Sequence, residues 1–73
     1  MSNMVYGATA LTGGTAGALD AIDGAILVDK DMAIAITGGY TYAYLLNATS
    51  GAAESSPDVI TPDTNPGDKR WIL

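Results

Sequence analysis

Residues 32–46 constrain this chain more than any other stretch: MAIAIT, then Gly38 and Gly39, then YTYAYLL. Two runs of period-two alternation joined by two glycines predict a β-hairpin, because tight two-residue turns need the positive φ that glycine accepts. Closing the turn there sets Thr37 opposite Tyr40, Ala35 opposite Tyr42 and Ala33 opposite Tyr44. Ile36 with Thr41, Ile34 with Ala43 and Met32 with Leu45 then share the other face. One face is therefore aliphatic, and the other is a ladder of tyrosines over small residues. A one-residue slip would exchange the two faces.

The remainder supplies little for such a hairpin to pack on. With 73 residues, no Phe and one Trp, the expected core is thin. Chains of this size usually need disulfides, a metal or partner subunits. Cysteine and histidine are both absent, which removes disulfides and the ordinary zinc ligands. Association is the remaining stabiliser. The expectation is a homo-oligomer, trimeric or higher, or a module inside a larger assembly.

Charge narrows the partners. Eight acidic against three basic residues give a net charge of −5, which argues against phosphate-backbone binding. No run approaches the length of a membrane-spanning helix. The opening MSNMVYG has neither a basic region nor an apolar stretch behind it, so the expectation is synthesis in the cytoplasm without a signal peptide.

The chain reads as one small β domain spanning residues 1–73. Residues 3–6 have the composition of a short strand, and residues 13–18, GGTAGA, form a glycine-rich connector. Residues 19–22 fit one helical turn, with Asp20 near its start and Asp23 and Gly24 ending it. Asp29, Lys30 and Asp31 form a charged turn into the hairpin. Residues 47–69 read as a long loop rich in Pro, Ser and Gly, within which residues 65–68, NPGD, fit a type II turn. Residues 70–73, RWIL, form a terminal strand. The predicted fold class is all-β, a small antiparallel meander of three to four strands around the Gly-Gly hairpin, completed by oligomerisation.

No catalytic constellation is legible. Asp20, Asp23, Asp29 and Asp31 are dense, but a calcium loop beginning at Asp29 would have Ile34 where glycine is required and Tyr40 where glutamate is required. They read as turn and cap aspartates. Gly13, Gly14 and Gly17 lack the lysine and hydroxyl residue of a phosphate loop. The triplet Asn47, Ala48, Thr49 matches a glycosylation acceptor only in a chain that is exported. A nucleophilic serine would have no histidine base, and Glu54 has no assignable carboxylate partner. The expectation is a protein with no enzyme activity, no cofactor and no metal. The candidate contact residues are Tyr40, Tyr42, Tyr44 and Trp71, which offer flat area with polar tips, for a subunit or for a ligand such as a glycan. Ala33 and Ala35 opposite the rings would leave them uncovered in a monomer.

The segments ALDAIDG, SGAAESSP and GDKRWIL, within residues 13–73, resemble a small module of bacteriophage and prophage tail-fibre and tail-associated proteins. The resemblance implies a structural, multimeric role in a virion or similar extracellular particle, at an attachment or receptor-facing position. The similar segments run on into further structure, whereas this sequence stops at Leu73. The alternatives are a small surface module binding a glycan or receptor through its aromatic face, and a pilus-like subunit of a bacterial surface filament.

Overall fold

A computed structural model describes residues 3–73. Met1 and Ser2, which open the segment read as lacking an export signal, lie outside it. Five strands form one open, mixed sheet: β1 (Val5–Ala8), β2 (Met32–Thr37), β3 (Tyr40–Asn47), β4 (Val59–Ile60) and β5 (Arg70–Ile72), in the order β1-β2-β3-β5-β4. β2 and β3 pair antiparallel across Gly38 and Gly39, whose φ angles of 60° and 82° lie in the region glycine favours. Thr37 faces Tyr40, Ala35 faces Tyr42 and Ala33 faces Tyr44.

The sheet departs from an antiparallel meander at both ends. β1 runs parallel to β2, pairing Val5 with Met32 through Ala8 with Ala35. Parallel neighbours need a crossover connection, and residues 9–31 supply it. At the far side β5 lies between β3 and β4, so the chain passes to the sheet edge before turning back inward. The proline-rich segment therefore holds a strand, and its edge is covered by reciprocal backbone bonds between Ser55 and Val59.

The crossover folds as two 3-10 turns, Leu19–Ala21 and Gly24–Ile26. Asp23 opens the second turn rather than ending the first, because its carboxylate accepts the Ala25 N–H at 2.9 Å. The turn near Pro66 is also displaced by one residue: Lys69 N–H donates to Pro66 O, which makes Gly67 and Asp68 its central pair. Positive φ at Asn65 and Gly67 accompanies that shift.

The core forms on the alanine and tyrosine side of the sheet. Ala33, Ala35, Tyr44, Leu46, Ile60 and Trp71 are buried there with Leu19 and Leu27 from the crossover, and Leu11 and Ile22 pack against them. The small alanines leave room for rings and for the crossover leucines. The sequence alone leaves the tyrosines in the open; in the fold the crossover leucines pack with Tyr44 and Tyr42.

Two buried aspartates hold the crossover in place. Asp31, fully buried, accepts from Asn3 Nδ2, Met4 N and Val28 N, which ties the start of β1 and the end of the crossover to the start of β2. Asp20 accepts the N–H groups of Gly13 and Gly14 at 3.1 and 3.0 Å. Their oxygens are satisfied by amides, as buried carboxylates require. Among the described residues no group of three His, Cys, Asp or Glu side chains converges as a metal site.

Candidate interaction surface

Each of the expected contact residues has a definite place. Trp71 and Tyr44 are buried, at 0% and 1% exposure, and belong to the chain's own core rather than to an open platform. Tyr42 is half-buried against that core, and Tyr40, beside the glycine turn, is 67% exposed. The three tyrosines do form a ladder, with ring centroids 6.3 and 6.4 Å apart, but it descends from solvent into the interior. Trp71 meets Tyr6 edge-on at 6.1 Å, and its indole N–H has no partner among the described residues.

Tyr44 is fixed by its hydroxyl, which donates to Pro57 O at 2.7 Å. Burial, with the neighbouring Tyr42 and Asp58, pushes its ionisation above the ordinary tyrosine range. For Asp31, burial pushes the carboxyl upward. The amides of Val28 and Met4, with Asn3, outweigh that effect and hold it below the usual carboxylate value.

The opposite side of the sheet is uncovered. Strand pairing lays a row across all five strands on that side: Val5, Met32, Leu45, Ile72 and Val59. Ile34 with Ala43 and Ile36 with Thr41 extend it toward the glycine turn. Val5, Met32, Ile34, Ile36 and Leu45 are all exposed, and Ile72 and Val59 are half-buried. Arg70, at the margin of this side beside Asn47, is the charged strand residue there, and its guanidinium donates to the carbonyls of Ala52, Gly67 and Lys69.

No protein-family model, curated protein or solved structure matches this chain. The site is therefore read from its own chemistry.

An apolar area of this kind contains no nucleophile, no general base and no donor set for a metal. It can bury surface against another apolar surface. An open cleft of about 280 Å³ borders it, lined by Asp29, Lys30, Leu45, Leu46, Asn47 and Thr49. Asp29 within it is engaged in holding the Ala48 N–H at 2.9 Å. No helix among the described residues is long and apolar enough to cross a membrane.

Both faces of the β2 and β3 pair are legible from alternation; the expected contact residues lie on the face that the crossover packs against, and the aliphatic face stays open. The extension of the aliphatic row into Val5 and Ile72 is not legible locally. Those residues lie 27 positions before Met32 and 27 after Leu45 (32 − 5 and 72 − 45), and only the topology brings them together.

Proposed function

We propose that this protein is a structural, self-assembling component of a phage tail, a virion or a similar filament, without catalytic activity. The observation that carries the reading is the exposed aliphatic face of the sheet. Isolated surface leucines and isoleucines are ordinary, whereas a contiguous apolar area crossing every strand supports a role in association. The likeness of ALDAIDG, SGAAESSP and GDKRWIL to tail-fibre segments gives the same direction. A virion or extracellular particle is the corresponding location, with copies of itself and other particle proteins as partners.

Sedimentation equilibrium of the purified chain from micromolar to millimolar concentration tests the reading. Reversible association with increasing concentration is the expected result. A single monomeric mass throughout the range would overturn it.

A second reading has a specific observation behind it: Tyr40 is 67% exposed beside the half-buried Tyr42, an aromatic step that a sugar ring could stack on. On that reading the chain is a small glycan-binding or receptor-binding module. Glycan-dependent shifts of the Tyr40 and Tyr42 ring signals, abolished by Tyr40→Ala, would favour it.

A further inference from the structure

We infer that the occupant of the aliphatic face is a second copy of this chain, packed sheet against sheet about a two-fold axis to make a two-layer sandwich whose middle is built from Met32, Ile34, Leu45 and Ile72. The inference rests on the assembly reading above and specifies one contact within it; because a two-fold contact closes, growth beyond the dimer uses other surfaces. Three observations bear on a copy as the occupant.

The first is the chemistry of the face. A chain of net charge −5 repels itself unless the meeting surfaces are free of acidic groups. The strand residues here are Val, Met, Ile, Leu, Ala, Thr and Gly, bounded by Asn47 and Arg70, with no aspartate or glutamate among them. Two copies can therefore approach on this side without opposing carboxylates from their strands. Arg70 sits at the margin beside Asn47, hydrogen-bonded to carbonyls of its own chain, so its charge stays outside the middle.

The second is size. Five strands spaced about 4.8 Å apart and about five residues along β2 give a face of roughly 400 Å². Two such faces come to roughly 800 Å² in total before the relief of their side chains, below the standard size of a stable interface and in the range of weak, transient ones. The complex is accordingly a concentration-dependent dimer rather than a permanent one.

The third is the internal layering. The alanine side is filled by the chain's own crossover, so the sheet already has one covered face. Stable sheets bury the second apolar face against another layer, and sheets pack about 10 Å apart with strands roughly 30° from aligned. An isologous contact supplies that layer from the same residues twice.

The test combines a charge variant with a direct contact measurement. Leu45→Glu, at a position already 47% exposed, should leave the monomer's far-ultraviolet spectrum and Trp71 emission unchanged while raising the dimer dissociation constant at least tenfold. In an equimolar mixture of isotope-labelled and unlabelled full-length chain, isotope-filtered methyl spectra should show intermolecular contacts among Met32, Ile34, Leu45 and Ile72. Should Leu45→Glu fail to fold, Ile34→Gln with the same mixed-label spectra replaces it. If the parent associates but these methyl contacts are missing and Leu45→Glu associates equally well, the dimer geometry is overturned and the assembly reading stands. If the parent is monomeric at every concentration, both fall.

Discussion

The hydroxyl of Tyr44 donates to the carbonyl of Pro57 at 2.7 Å, so the central strand and the proline-rich segment are joined by a bond reaching out from the core. Because Tyr44 is almost wholly buried, the donor has little access to water as a substitute. Tyr44→Phe keeps the ring packing and removes this bond. We expect a loss of about 1 kcal/mol, the usual net value of such a bond, measured by urea unfolding.

The same residue sets an alkaline limit. Its ionisation is raised in the folded chain, so the folded state holds the phenolic proton more tightly than the unfolded state. The stabilisation is fully present below the ordinary tyrosine value of about 10 and is lost as pH rises through the folded value. Unfolding midpoints should therefore fall above pH ~10. In Tyr44→Phe that part of the fall should be smaller.

Asp31 gives the acid limit. Its carboxyl sits below the usual value in the folded state, so its contribution is present above that value and is lost as pH falls through the lower, folded one. Asp31→Ala leaves the N–H groups of Met4 and Val28 without their acceptor and removes one of the two acceptors of the Asn3 amide, which keeps the Asp29 carbonyl. The expected cost is about 3 kcal/mol at neutral pH, with a flatter acid dependence than the parent, read from thermal melts across pH 2 to 6.

The two faces should answer substitution to different degrees. Ala33→Val adds volume where Ala33 is completely buried against the core and should cost about 1–3 kcal/mol. Ile34→Thr on the uncovered side should cost about 0.5 kcal/mol or less in dilute solution, as surface changes do. Chemical denaturation of both variants at low concentration checks the pair.

Two glycines separate turn conformation from crowding. Gly38 has positive φ and open space around it, so Gly38→Val should cost about 1–3 kcal/mol through backbone strain alone. Gly24 has no such φ, but a side chain there would run into the backbone of Asn65 and Pro66. Gly24→Ala should therefore disturb the contact between the crossover and the proline-rich segment, visible as amide shift changes at Asn65 and Gly67.

Much of the local structure is legible in the sequence, because it depends on neighbours along the chain. The alternation around Gly38 and Gly39 carries its register, and RWIL carries the last strand. What escapes is set by distant contacts. Nothing local says that Val5 runs parallel to Met32, or that Trp71 places β5 beside Leu46. The crossover reads as a loose glycine-rich loop because its packing residues, Leu11, Leu19, Ile22 and Leu27, are spread over two short turns without a helical or strand period. Once those residues cover the tyrosine side, the candidate surface moves to the other face. Of the four aromatic residues proposed as contacts, Tyr40 and part of Tyr42 remain accessible.

That exchange of faces is the centre of the account, and solvent paramagnetic relaxation of the methyl groups tests it directly. In dilute protein with a soluble gadolinium chelate, the methyls of Ile34, Ile36 and Leu45 should broaden strongly, while those of Leu19, Leu27, Leu46 and Ile60 stay sharp. Sharp Ile34 and Leu45 signals at monomeric concentrations, with broadened Leu19 and Leu27, would contradict it.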